Sequence, residues 1–291
     1  MKRKILITGI GGPAGKSAVI YFRENGFPVI GTDIREVDIK ADEFYPVPLA
    51  TNPSYPGVLL DMIKEKKPSL LIPTVTEELL VVAKLRREVE ALGCALFISS
   101  PEAVEVANDK LKTSRFMEKN GISVPATFDS LTPWDAVAEK LGFPFLSKPC
   151  FGRGGRGVRL YDSLEEVRLD KREGLVFQEF IPGEEFDVNL FIGKDGVVQA
   201  SAVLKKTVLK EGMIGNAVSV VRASNGEVMK LAILAAGLLG MEGPLDLDIR
   251  LREDRTPALL EINARLGGNV LHAREVLDAM LTSWEKGFEC A

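Results

Sequence analysis

At 291 residues, with 46% hydrophobic and 27% charged side chains, the chain has an ordinary globular composition and enough length for two domains of the usual ~100 to 200 residues. A net charge of -4 gives no electrostatic case for nucleic acid or an anionic membrane, so the expected partners are small molecules. Cys94, Cys150 and Cys290 are odd in number, scattered and free of CxxC spacing, which argues against a disulfide framework or a zinc site and fits a cytoplasmic location. The apolar run after the basic start Met1-Lys2-Arg3-Lys4 stops at Thr8, too early for a signal peptide, and no other segment approaches membrane-spanning length.

In chain order, Lys4 to Thr8 predicts a strand, Gly9 to Gly15 a glycine turn, and Lys16 to Asn25 an amphipathic helix closed by Gly26. Pro28 to Thr32 predicts the next strand, Leu59 to Lys66 a helix, Ser69 to Pro73 a third strand and Glu77 to Leu92 another helix. Such alternation implies a parallel sheet with helices on its faces. Near residue 100 the pattern changes. Ser100-Pro101 starts a short helix, and Asp109 to Asn120 forms another ended by Gly121. From Phe143 onward the runs read as antiparallel strands: Pro144 to Cys150, Val158 to Tyr161, Leu175 to Phe180, Glu185 to Ile192, Val197 to Val203 and Ala217 to Ala223. Glu227 to Gly240 is then an apolar helix, followed by two strands and a final helix, so the expected class is α/β followed by α+β.

Gly9, Gly11 and Ala14 fit the G-x-G-x-x-G/A pattern at a strand-to-helix turn, and Asp33 ends the second strand where a ribose-binding acid would stand. A nicotinamide dinucleotide-binding oxidoreductase is therefore a rival reading, against a tight turn that packs a helix on a sheet. Gly15-Lys16-Ser17 resembles the end of a Walker A loop, but Ile10 occupies the position where that motif needs its first glycine.

The most informative stretch lies near the C-terminus. Leu245 to Leu251 and Leu260 to Arg265 both alternate apolar and polar residues, as strands with one core face and one wet face do. A turn centred between Asp254 and Arg255 places Asp248 opposite Glu261 and Asp246 opposite Asn263. Opposed residues in an antiparallel pair have Cβ atoms ~4.5 to 5.5 Å apart, so like charges there call for a cation between them. Asp248, Glu261 and Asn263 make a sensible oxygen set for Mg2+, and Arg265, two residues on, is placed to reach a phosphate. The plainer reading is a solvated hairpin face with Arg250 and Arg265 as counterions.

Upstream, Gly152, Gly154, Gly155 and Gly157 stand among Lys148, Arg153 and Arg156, the composition of a hairpin lid whose backbone N–H groups approach phosphate oxygens. Between these clusters, the strand ending Gln178-Glu179-Phe180-Ile181 is broken by Pro182-Gly183 and followed by Glu184-Glu185. There, backbone groups for adenine and a carboxylate for ribose are chemically reasonable.

In this order the three clusters resemble the ATP-grasp superfamily, most closely a synthetase domain of the carbamoyl-phosphate synthetase large subunit. The resemblance implies a Rossmann-like domain over 1–107, with Pro73-Thr74 and Glu77 to Leu80 at its usual third-strand ending. An ATP-grasp domain is implied over 108–291, with a small lid lobe at about 122–180 and a catalytic lobe at about 181–291. It implies that Lys110, Lys148, Gly152, Arg153, Gly154, Gly155, Gln178, Glu179, Phe180, Ile181 and Glu185 bind nucleotide, and that Asp248, Glu261 and Asn263 hold the metal. It gives Arg265 and Lys148 catalytic roles. The implied cofactors are ATP and Mg2+, with Mn2+ as a substitute, and the implied substrates are a small carboxylate and an amine; a homodimer is compatible with this reading.

The sequence departs from that family in placing Gln178 where an acid is common and in lacking a counterpart of the synthetase histidine in the expected loop Lys205 to Asn216, where Lys205, Lys206 and Lys210 stand instead. With no glutaminase-like or second synthetase segment, complete carbamoyl-phosphate synthesis within this chain is not expected. His272, the lone histidine, is expected to be structural. A non-catalytic nucleotide-binding subunit is the third reading.

Overall fold

The computed structural model describes residues 3–152, 154–168, 173–212 and 214–289. Its first sheet is parallel, formed by β1 (Ile5–Ile7), β2 (Val29–Asp33), β3 (Glu43–Pro46), β4 (Leu70–Ile72) and β5 (Ala95–Leu96) in the order β3-β2-β1-β4-β5. β1 and β4 are apolar throughout and buried at every position, as strands covered on both faces are. The edge strand β3 was not expected from the sequence. It is half-buried, and Pro46 ends it, so it carries neither the apolar run nor the alternation that marks a strand.

The expected single helix from Glu77 to Leu92 is instead a 3-10 turn (Thr76–Glu78) and two short helices (Leu79–Lys84 and Arg86–Ala91) separated at Leu85. Glu78 fixes the entry to this segment. Its buried carboxylate accepts hydrogen bonds from Thr8 Oγ1, Tyr55 OH and the backbone N–H groups of Thr74 and Val75. Burial raises the Glu78 pKa even though these four donors favour the charged form. Glu78→Ala strands four buried donors, and is expected to lower the unfolding free energy by about 3 kcal/mol in a denaturant titration, with Glu78→Gln costing less.

The second sheet is antiparallel and carries the chemistry described below. It contains β10 (Glu185–Ile192), β11 (Val198–Glu211), β12 (Ile214–Ala223), β13 (Gly243–Leu251) and β14 (Pro257–Asn263) in the order β12-β11-β10-β13-β14. Here the expected loop Lys205 to Asn216 is corrected: most of it is strand, because β11 runs on to Glu211 and β12 begins at Ile214. The ladder is irregular between Lys206 and Glu211, and the charged residues obscure the strand pattern. The third sheet is β6 (Thr127–Asp129), β7 (Phe145–Pro149), β8 (Arg159–Tyr161) and β9 (Leu175–Glu179), ordered β6-β9-β7-β8.

Burial separates these parts unequally. Leu6, Ile30 and Leu71 of the first sheet share one apolar cluster with Val188, Leu247 and Ile262 of the second. The C-terminal helix Arg274–Glu289 joins them again: Leu277 and Trp284 lie in a cluster with Ile5, Phe22 and Leu204, and the Trp284 indole donates to Ser69 O at 3.1 Å. The small sheet packs on its own core of Val137, Phe145, Tyr161, Val167 and Phe177.

Candidate active site

The antiparallel sheet, the small sheet and the first glycine turn converge on one cavity of about 500 Å³. One wall is the polar face of β10, β13 and β14. Asp187 pairs with Asp248, which pairs with Glu261; one step along, Asn189 pairs with Asp246, which pairs with Asn263. Paired residues in a ladder point the same way, so these rows stand side by side on one face. The expected pairs Asp248–Glu261 and Asp246–Asn263 are found, but the turn itself centres on Asp254, as Leu251 pairs with Pro257, and a bulge just after Asp248 shifts the register to produce them.

Opposed carboxylates at this spacing need counter-charge, and the protein supplies part of it. Lys206 Nζ reaches Asp248 Oδ1 and Glu185 Oε1, both at 2.6 Å, and is itself buried. Lys110 Nζ lies 3.4 Å from Glu261 Oε2, while Arg265 donates to Asn263 Oδ1 at 2.9 Å and sits 3.3 Å from Asp246 Oδ2. Burial opposes the Lys206 charge, but Asp248, Glu185 and Asp187 outweigh it and hold its pKa well above the ordinary lysine value. Burial, reinforced by Asp246, Glu185 and Glu261, pushes Asp248 up to about 7 despite Lys206. Asp246 is raised well above the carboxylate range because it is buried and faces Asp187.

The donor chemistry fits magnesium: Asp248 and Glu261 supply carboxylate oxygens and Asn263 an amide oxygen, the hard set that this ion prefers while keeping water and phosphate in its shell. Among the described residues no group of three or more His, Cys, Asp or Glu side chains is gathered as a complete protein cage.

Facing this wall are Lys148 on β7 and the glycine segment after it. Lys148 is buried, and that burial, with Lys110 nearby, pushes its pKa down to about 8 against the pull of Glu261, Glu185 and Asp248. Gly154, Gly155 and Gly157 have φ of +72°, +66° and +72°, a region that side chains rarely adopt. A Cβ on Gly155 would stand 2.7 Å from Gly215 Cα, so the segment lies tightly against β12. Lys110 ties the two walls together, its Nζ donating to Gly152 O at 3.1 Å as well as facing Glu261. Arg153 lies outside the described residues.

The end of β9, the turn after it and the start of β10 line the cavity through Gln178, Glu179, Ile181 and Glu185, while Phe180 is not among the lining residues. Gln178 donates to Thr127 Oγ1 at 2.9 Å and leaves its buried Oε1 without a partner. The Glu179 carboxylate is held by Arg252 and by the N–H of Ala126, and its own N–H donates to Ala126 O at 2.9 Å. Glu185 is held by Lys206 and Arg250; although burial raises its pKa, these two cations bring it below the usual range.

The first glycine turn also reaches the cavity, through Gly12, Pro13 and Ala14. Its dinucleotide reading is not favoured. Asp33 Oδ2 accepts from the N–H of Gly11 at 2.8 Å and Oδ1 from that of Ile34 at 2.8 Å, which commits the expected ribose acid to the turn itself. A Cβ on Gly9 would collide with Val75, and one on Gly15 with Gly9 O, so these glycines permit close packing. His272 is exposed, in the turn Val270–His272, where its carbonyl accepts from Arg222 at 2.9 Å.

Asp187 and Asn189 were not expected at the site, and Lys206 was expected only as one of three lysines in place of the synthetase histidine, not as the partner of Asp248 and Glu185. Glu185-Phe186-Asp187-Val188-Asn189-Leu190 alternates as plainly as Leu245 to Leu251 does, and this pattern is the signal that would have found the first two.

A family model described as "ATP-grasp domain" matches residues 107–269, and another described as "PylC-like, N-terminal domain" matches residues 5–97. The chain is 25% identical over 262 residues to a carbamoyl-phosphate synthase of Methanobrevibacter smithii, covering 85% of this chain and 70% of that one. It is 28% identical over 189 residues to the carbamoyl phosphate synthase large chain of Rubrobacter xylanophilus, of which it spans only 18%. In fold it is similar to an L-amino acid ligase of Bacillus licheniformis (TM-score 0.70, 22% identity, 93% of this chain and 69% of that). It is also similar to an ATP-complexed carboxyaminoimidazole ribonucleotide synthase of Aspergillus clavatus (TM-score 0.71, 20% identity, 95% and 77%). No helix among the described residues is long and apolar enough to cross a membrane.

Proposed function

Because this chain belongs to the ATP-grasp family, we propose that it phosphorylates a small carboxylate with Mg-ATP and passes the acyl group to an amine. The observation that carries this is the convergence of Asp248, Glu261, Asn263 and Arg265 with Lys148 and the glycine segment around one cavity. We assign 1–107 to a Rossmann-like domain and 108–291 to the ATP-grasp domain, with 122–180 as the lid lobe that carries Lys148.

In the proposed reaction a substrate carboxylate oxygen attacks the γ-phosphorus, ADP leaves, and the acyl phosphate loses phosphate when the amine adds to its carbonyl. Such transfers depend on positioning and charge neutralisation more than on a protein base. Lys148 and Lys110 neutralise the phosphate chain, the lid's N–H groups follow it, and Arg265 steadies the oxygens of the transferring group. Asp248, Glu261 and Asn263 would hold Mg2+, which supplies Lewis-acid charge at the phosphates. Gln178, Glu179 and Ile181 enclose the base, with Phe180 behind them, and Glu185 accepts from the ribose. Mn2+ is an acceptable replacement for Mg2+ on donor chemistry.

Thermal-shift titrations test the nucleotide assignment: Mg-ADP is expected to raise the melting temperature and NADH is not. A screen of carboxylate and amine pairs for acceptor-dependent ADP release then tests the reaction. Stabilisation by NADH alone would return the molecule to the oxidoreductase reading.

A further inference from the structure

Arg250 reads in the sequence as a counterion on a solvated strand, yet it is buried, only 5% exposed. A buried guanidinium keeps its charge, so what it binds decides its role. Directly opposite it across the β10–β13 ladder is Glu185, and both Nε and a terminal nitrogen of Arg250 lie 2.6 Å from Glu185 Oε2. Its other terminal nitrogen donates to Ile181 O at 2.8 Å, and its Cζ stands 5.7 Å from the centroid of the Phe180 ring. One planar group thus fixes the carboxylate, the Ile181–Pro182 peptide and the ring between them.

The geometry points to Arg250 as a positioning residue that sets ribose selectivity; this rests on the nucleotide reading above. A carboxylate offers about four lone-pair sites, and Arg250 on Oε2 with Lys206 on Oε1 leaves sites that face the cavity for hydroxyl donors. Lys206 is a rotatable point charge. The guanidinium holds Oε2 from two nitrogens and is itself anchored on Ile181 O, so with Lys206 on Oε1 it pins the carboxylate at both oxygens and sets the direction of the remaining sites.

Isothermal titration with Mg-ADP and with Mg-2′,3′-dideoxy-ADP separates positioning from simple support of the fold. The wild-type protein is expected to prefer ADP by about 10- to 100-fold, the range for hydrogen bonds to a charged group. Arg250→Gln is expected to shrink that ratio below about 3-fold, the ADP affinity falling clearly more than the dideoxy affinity, which falls only as far as the Ile181 and Phe180 contacts around the base loosen. Arg250→Lys retains charge without the fork; it is expected to shrink the ratio too and guards against a poorly folded glutamine variant. Equal weakening of both nucleotides with the wild-type ratio intact would overturn the inference, as would a wild-type protein that binds both alike. A wild-type protein that binds no Mg-ADP would instead remove the nucleotide reading beneath it.

Discussion

Replacing Glu261 with alanine is expected to reduce acceptor-dependent ADP release by at least 10²- to 10³-fold, the scale for losing one preorganised electrostatic contact in a transfer site. Folding is expected to survive the change. Glu261 is partly exposed, stands directly opposite Asp248 and contributes one long ion pair to Lys110, so its removal relieves as much repulsion as it forfeits attraction. The apo melting temperature should therefore move by only a few degrees, while stabilisation by Mg-ADP is largely lost. A variant that keeps near-normal turnover would refute the metal assignment.

Lys148→Met is expected to weaken Mg-ADP binding by about 10- to 100-fold, since a buried ammonium beside phosphate is a charge-assisted donor that a thioether of similar length cannot replace. The same residue gives a pH signature. In the empty site burial lowers the Lys148 pKa to about 8, whereas bound phosphates favour the charged form. Below pH 8 the lysine is already protonated and affinity is level. As pH rises through 8 the free protein loses that proton, binding must restore it, and the dissociation constant rises by up to about 10-fold per pH unit. Lys148→Met is expected to lack this limb, and an identical alkaline rise in the variant would assign it to another group.

How far the sequence carried this reading depended on local pattern. The pairing of Asp248 with Glu261 matches the expected one because the two strands alternate cleanly, but the pairs nearest the turn centre on Asp254, and it is the bulge after Asp248 that brings Asp248 opposite Glu261. The role of Lys206 was not legible, because its partners Glu185 and Asp248 come from two other strands, and its own segment is full of charge. β3 and the break at Leu85 were missed for related reasons: one is a half-buried edge, and the other interrupts a continuous apolar periodicity. The glycine turn after β1 shows the opposite failure, a motif whose residues are present but whose acid is bound to the turn's own backbone. Separation of the cores was expected only through the family resemblance, because no local pattern says which apolar faces share a core. The first and second sheets share apolar clusters, whereas the small sheet that carries Lys148 has its own.

The most direct test is a crystal structure of the protein with Mg2+ and a non-hydrolysable ATP analogue. Metal oxygen distances of about 2.0 to 2.1 Å to Asp248, Glu261 and Asn263, with the triphosphate between them and Lys148, are expected. A triphosphate seated on the turn from Gly9 to Gly15, or a metal bound away from Glu261, would contradict the account.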